Sequence, residues 1–206
     1  MKAILFINGI PPKQLPKLEH YSLVACTDGA FFYLEEKGFD WDLLTFISGD
    51  FDSFQPQQNE LTEKIIHTPD QNKTDFQKAL EILIEKGATE VDVFGGSGGE
   101  MDHFLGNITV AFKMKHRLEI RSFDEYSTYF FIPKHFVLND VKDKMISLYP
   151  FPMAKNITTK GLNWSLNDED LDICERIGTR NFAIENQVEI AYKLGDLVVF
   201  VGGEYQ

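Results

Sequence analysis

Cysteine is scarce. Cys26 and Cys174 are the only two in 206 residues, and neither belongs to a CxxC pair. That argues against a disulfide framework and a zinc site, and a reducing cytoplasm is the expected setting. Positive charge is scarce too: 20 Lys and Arg stand against 32 Asp and Glu, giving a net charge of −12 and a pI near 4.8. A surface this acidic repels phosphate backbones and anionic bilayers, so neither nucleic acid nor a membrane is an expected partner. An anionic substrate would need local lysines, helix N-termini or a divalent cation. No apolar run approaches the roughly 18 residues of a bilayer span. The opening stretch MKAILFINGIPP has one lysine and a short apolar run ended by Asn-Gly, and reads as a first strand rather than a leader. The five histidines are scattered without an i, i+4 pair. Neither a GK[ST] phosphate loop nor GxGxxG occurs, so the usual kinase and dinucleotide motifs fail.

What is present is an alternation. Short apolar runs at 3–7, 23–26, 43–47, 64–67, 91–94 and 119–123 mostly lack a period-two polar pattern, as strands buried on both faces do. Helical spacing lies between them: Phe76, Ala79, Leu80 and Leu83, then Leu105, Ile108, Thr109 and Phe112, with Gly38 and Gly87 as C-terminal stops. Residues 1–125 therefore read as an α/β domain with a mostly parallel sheet. After that the texture changes to short aromatic and β-branched runs at 130–132, 145–149, 188–192 and 197–201. Turn signals separate them at Leu138-Asn139-Asp140, Lys160-Gly161 and Leu194-Gly195-Asp196. Residues 126–206 read as an antiparallel β domain, a sandwich or partial barrel, with the polar segment 167–175 as a loop.

Acidic residues mark the strand ends. Asp28 follows the second run, Asp50 and Asp52 the third, Asp75 the fourth and Asp102 the fifth. Each has an ordinary explanation: Asp28 as a helix N-cap, Asp50 and Asp52 as turn formers, and Asp75 in the capping-box pattern Thr74-Asp75-Phe76-Gln77. Together they are harder to dismiss, because ligands of open α/β sheets bind beyond the carboxyl ends of the strands. Carboxylates crowded there oppose one another's ionisation unless a hard cation with oxygen ligands joins them. Lys73 and the loop Gly95-Gly96-Ser97-Gly98-Gly99 add anion-binding groups at the same end.

GDFDS at 49–53, DQNKTDFQKAL at 70–80 and GGSGGEMDHFLGNI at 95–108 resemble the signature blocks of thiamine pyrophosphokinases, and Asp28-Gly29-Ala30 is similar to that family's DGA block. Thr159-Lys160-Gly161-Leu162-Asn163-Trp164 and Gly178-Thr179-Arg180-Asn181 resemble its two thiamine-side blocks. The resemblance implies a three-layer α/β/α nucleotide-binding catalytic domain, a C-terminal β-sandwich that binds thiamine, and a homodimer with shared active sites. It implies Mg²⁺-dependent transfer of diphosphate from ATP to the thiamine hydroxyl, giving thiamine diphosphate and AMP. On that likeness Asp50, Asp52 and Asp75 hold the metal and, with Asp102, form the catalytic set. Asp28, Gly29, Gln71, Lys73, Thr74 and Gly96 would face the nucleotide, and Trp164, Thr179 and Asn181 the thiamine. Either Asp102 or Asp75 would take the hydroxyl proton. Two positions depart from the family pattern: Glu100, where arginine is common, and Arg180, where serine is usual.

Two other readings use the same residues. Asp50-Phe51-Asp52 also suits a metal-dependent nucleotide-sugar glycosyltransferase, although that leaves Lys73-Thr74-Asp75 without a purpose. A non-catalytic nucleotide-binding sensor would bind ATP without turnover.

Overall fold

The computed structural model describes residues 1–51 and 59–204, so Asp52 lies outside the described residues. The chain divides into two compact units, Met1–Glu125 and Tyr126–Gln206.

In the first unit, β1 (Lys2–Phe6), β2 (Leu23–Thr27), β3 (Phe46–Gly49), β4 (Ile65–His67), β5 (Glu90–Phe94) and β6 (Glu119–Phe123) form a sheet. The order is β4-β3-β2-β1-β5-β6, with every neighbouring pair parallel. Parallel neighbours need crossovers, and α1 (Asp28–Glu36), α2 (Asp75–Glu85) and α3 (Met101–Met114) follow β2, β4 and β5. Successive strand side chains point to opposite faces. Ala3, Leu5, Ala25, Phe46, Val91 and Val93 therefore share a core with Phe76, Ala79, Leu80 and Leu83 of α2 and with Val110 and Met114 of α3. Ile4, Phe6, Val24, Cys26 and Ile47 share another with Ala30, Phe31, Tyr33 and Leu34 of α1.

Three details differ from the sequence-based expectations for this unit. The third strand begins at Phe46 because residues 41–43 form a 3-10 turn, in which the Asp40 carboxylate accepts from the Asp42 N–H at 3.1 Å. On α3, the helically spaced residues are only partly the buried set: Ile108 is buried, but Leu105 is 63% exposed, and Val110 and Met114 are buried with Ile108 instead. At α2, Thr74 caps the helix through the Gln77 N–H at 3.2 Å, but the Gln77 side chain turns to Glu81 rather than closing a capping box.

In the second unit, β7 (Ser127–Ile132), β8 (His135–Asn139), β9 (Lys144–Lys160), β10 (Asn167–Asp172), β11 (Gly178–Phe182), β12 (Gln187–Ala191) and β13 (Leu194–Glu204) are all antiparallel partners. The 17-residue β9 is the spine, pairing with β10, β11, β12 and β13. Ile146, Leu148, Ile157, Leu171, Val188, Ile190, Leu197 and Val199 fill the core. The segment expected as a loop at 167–175 contains β10, whose acidic residues hide its periodicity. Leu171 is its buried residue, while the Asp170 carboxylate accepts from the Asn156 N–H at 2.9 Å. Leu194-Gly195-Asp196 is not a separating turn but lies within β13, at a register shift where Gly195 has φ +77°. A Cβ there would meet the Met153 carbonyl oxygen at 1.9 Å.

The cap at α2 gives a direct test. Thr74→Ala is expected to lower stability by about 1 kcal/mol, read as a reduced urea midpoint with an unchanged m-value.

Candidate functional site

The order β4-β3-β2-β1-β5-β6 reverses direction at β1, the switch point at which open α/β sheets form a crevice. A cavity of about 390 Å³ opens there. Residues beyond five strand ends line it: Asn8 after β1, Asp28 after β2, Asp50 after β3, Gln71 and Lys73 to Phe76 after β4, and Gly95 and Gly96 after β5. Asp102 joins from the first turn of α3. Of the sequence-predicted nucleotide and metal residues, Asp28, Asp50, Gln71, Lys73, Thr74, Asp75, Gly96 and Asp102 all line this one cavity, and Gly29 does not.

Asp28 is half-buried. Its carboxylate accepts from the Gly29 N–H at 2.7 Å and from the Phe51 N–H at 3.3 Å. Phe51 turns the chain with φ +53° to present that N–H. Gly49 makes the space, since a Cβ there would stand 2.1 Å from the Asp28 carboxylate. Glycine thus serves GDFDS for steric rather than flexible reasons, because Gly49 does not have a positive φ. Burial pushes the Asp28 pKa above its ordinary value; its two N–H donors counter this, and the Asp75 and Asp50 charges raise it further.

Asp50 accepts from the Gln71 side-chain amide at 3.1 Å. Asp75 is paired with Lys78 at 2.7 Å, and the same ammonium donates to the Thr68 carbonyl at 2.7 Å. Lys78, which has only 8% of its side chain exposed, was missed by sequence reasoning, because a lysine in an amphipathic helix is read as solvated. Lys73 lines the cavity, but its ammonium is paired with Glu81 at 2.7 Å, which holds Glu81 below the ordinary carboxylate range. Asp102 accepts from the His103 N–H at 3.0 Å, and His103 lies 3.5 Å from Glu100. Asn8 and Asn107 line the cavity too, without having been predicted as site residues. The Asn107 amide supports the glycine loop by donating to the Gly96 carbonyl at 3.0 Å. The first loop packs tightly on it, since a Cβ on Gly9 would meet the Gly95 oxygen at 2.2 Å.

The donor set suits a hard divalent cation, being carboxylate and amide oxygen throughout. A second feature agrees: the Thr27 hydroxyl, on a buried residue that lines the same cavity, has no hydrogen-bond partner among the described residues.

The second unit carries a separate pocket of about 480 Å³ lined by Asp143, Met145, Trp164, Arg180 and Phe182. Trp164 is 61% exposed, which sets aside a core-packing role. Its ring meets Phe182 edge-on, with centroids 5.5 Å apart and planes at 86°. Thr179 and Asn181 do not line this pocket. Asn181 instead holds the tryptophan: its amide accepts from the Trp164 N–H at 3.1 Å and the Phe182 N–H at 2.9 Å, and donates to the Trp164 carbonyl at 2.8 Å.

A parallel sheet with carboxylates, an amide and a glycine loop at its switch point defines the class of the first unit: an open α/β fold with a polar crevice beyond its strand ends, where such folds take their ligands. Residues 16–122 match "Thiamin pyrophosphokinase, catalytic domain", and residues 134–195 match "Thiamin pyrophosphokinase, vitamin B1 binding domain". The chain belongs to the thiamin pyrophosphokinase family. It is 26% identical to the thiamine pyrophosphokinase of Bacillus subtilis, over 97% of this chain and 98% of that protein. It is also 26% identical to thiamin pyrophosphokinase 1 of Caenorhabditis elegans, over 89% of this chain and 82% of the relative. The crystal structure of the B. subtilis protein superposes with a TM-score of 0.80 at 25% identity, over 98% of this chain and all of that one. A family protein from Enterococcus faecalis gives a TM-score of 0.84 at 23% identity over both full chains, a likeness of fold.

The raised Asp28 pKa has a sign that can be checked. The unfolded chain loses this proton near 3.8 and the folded chain at a higher pH. The group's contribution to stability is therefore present at low pH and is lost as pH rises from 3.8 through the folded value. Without added metal, Asp28→Asn is expected to melt above the unsubstituted protein at pH 7, and the gap should shrink toward pH 4 when followed by calorimetry.

Proposed function

We infer that this chain transfers the terminal diphosphate of ATP to the hydroxyl of thiamine, releasing AMP. The observation that carries this reading is the convergence of Asp28, Asp50, Asp75 and Asp102 with Gln71, Lys73 and Thr74 on one cavity beyond the strand ends. In this reading Asp50 and Asp75, with Asp52, hold Mg²⁺. Bound there, the ion would supply charge neutralisation to the phosphate oxygens.

The chain's own groups do the rest. Gln71 fixes Asp50, and Lys78 fixes Asp75. Lys73 exchanges Glu81 for a phosphate oxygen of the bound nucleotide, and Gly96 brings the main chain close to the phosphates. The thiamine hydroxyl forms the new P–O bond, the bond to the AMP oxygen breaks, and AMP leaves with that electron pair. The hydroxyl proton passes to Asp102, because an oxygen of Asp75 is already held by the Lys78 ammonium. In the second unit Trp164 and Phe182 offer aromatic faces to the cationic thiazolium, an attraction of roughly 0.5–2 kcal/mol. Asp143 adds a negative charge beside them, and Asn181 keeps the tryptophan in place.

The same reading takes the first unit as a three-layer α/β/α nucleotide-binding catalytic domain and the second as a thiamine-binding β-sandwich. It takes the working form as a homodimer with shared active sites, in the cytoplasm. Two free thiols, Cys26 buried and Cys174 exposed, support that compartment.

The protein with ATP, thiamine and Mg²⁺ is expected to yield AMP and thiamine diphosphate in equal amounts, and to leave UDP-sugars intact. Asp50→Asn should lower kcat by about 100-fold or more with little change in melting temperature. A kcat close to that of the unsubstituted protein would contradict the role given to Asp50.

A further inference from the structure

The pocket of the second unit contains two opposite charges that do not meet. Arg180 and Asp143 both line it, yet neither side chain has an ion-pair or hydrogen-bond partner among the described residues. Two of the other three arginines are paired, Arg176 with Glu169 at 2.8 Å and Arg121 with Glu119 at 2.5 Å. The backbone keeps the two pocket charges where they are. Arg180 lies at a register shift between β11 and β9, has φ +57°, and donates its N–H to the Ser147 hydroxyl at 2.9 Å. Such a bulge re-aims a side chain out of the regular alternation. Asp143 has φ +65°, and its N–H is fixed to the Ala183 carbonyl at 2.9 Å. Each charge thus stands on a left-handed backbone position beside Trp164 and Phe182.

An aromatic floor with a carboxylate and a guanidinium held apart complements a flat cation that carries an anion at its other end. Thiamine supplies only the cation, whereas its phosphate esters supply both. A guanidinium is also the side chain best shaped to grip a phosphate through two parallel N–H donors. We propose that Arg180 binds the phosphate end of thiamine phosphates, so that this pocket holds the phosphorylated forms, including the reaction product, more tightly than thiamine itself. The proposal rests on the reading that this pocket receives the thiamine ring. It gives Arg180 a part in product retention and inhibition by product, apart from the transfer step.

Trp164 reports on the site directly. In a Trp41→Phe background, which leaves Trp164 as the sole indole, its fluorescence can be titrated without ATP, using thiamine, thiamine monophosphate and thiamine diphosphate as the probes. The diphosphate is expected to bind at least about fivefold more tightly than thiamine. The preference should fall below about twofold in Arg180→Ser and in Arg180→Gly, with the thiamine affinity itself little changed. Glycine suits the left-handed backbone, so that variant keeps the fold, and Arg180→Lys should restore part of the preference. An undiminished preference in both the serine and glycine variants would overturn the proposal. So would an unchanged preference joined to a raised KM for ATP, which would assign the guanidinium to the donor's phosphates. If thiamine fails to perturb Trp164 even with Arg180 present, the reading of the pocket itself is wrong, and the proposal falls with it.

Discussion

Crowding of negative charge beyond the ends of β2, β3 and β4 is the constraint around which the first unit is built. Asp28, Asp50 and Asp75 share one cavity, and burial together with this crowding opposes ionisation of Asp28. Only one buried positive group answers them among the described residues: the Lys78 ammonium, held between Asp75 and the Thr68 carbonyl. Lysine is almost never this buried unless paired, and removing one partner of such a pair costs far more than the pair's net worth. One internal cation cannot balance three carboxylates. In the proposed reading, a divalent ion with a polyphosphate would neutralise the remainder.

The surrounding details follow from that need. Gly49 leaves room for the Asp28 carboxylate, and Phe51 takes a left-handed turn to donate to it. Lys73 rests on Glu81, a partner it can give up to a stronger anion because both groups are partly exposed. Thr27 and Ser48 are register partners that continue the sheet face covered by α2, and their buried hydroxyls lack hydrogen-bond partners among the described residues. Unsatisfied buried groups are costly, and Thr27 is one that also lines the cavity. The second unit repeats the theme on a smaller scale, leaving Arg180 and Asp143 apart beside an exposed aromatic pair.

Much of this was legible in the sequence, for physical reasons. Strands buried on both faces read as continuous apolar runs, which placed five of the six parallel strands to within a residue or two. An aspartate just past such a run can be placed at the rim of the strand-end crevice without knowing the strand order. Other features depend on tertiary contacts that no local pattern carries. The polar sequence of β10 conceals a strand because its ladder partner, β9, lies earlier in the chain. The spacing of Leu105 and Phe112 suggested a buried face of α3, but the helix turns Val110 and Met114 inward instead. Lys78 looks like any solvated helical lysine until α2 is laid over Thr68. Asn181 looked like a ligand contact, and its hydrogen bonds show it bracing Trp164.

The most direct test is a crystal soaked with Mn²⁺ and a non-hydrolysable ATP analogue, with the metal located by anomalous scattering. The account predicts a peak within about 2.0–2.4 Å of carboxylate oxygens from Asp50 and Asp75, and triphosphate density running toward the glycine loop. A metal bound away from these side chains, or a nucleotide seated anywhere but this crevice, would contradict it.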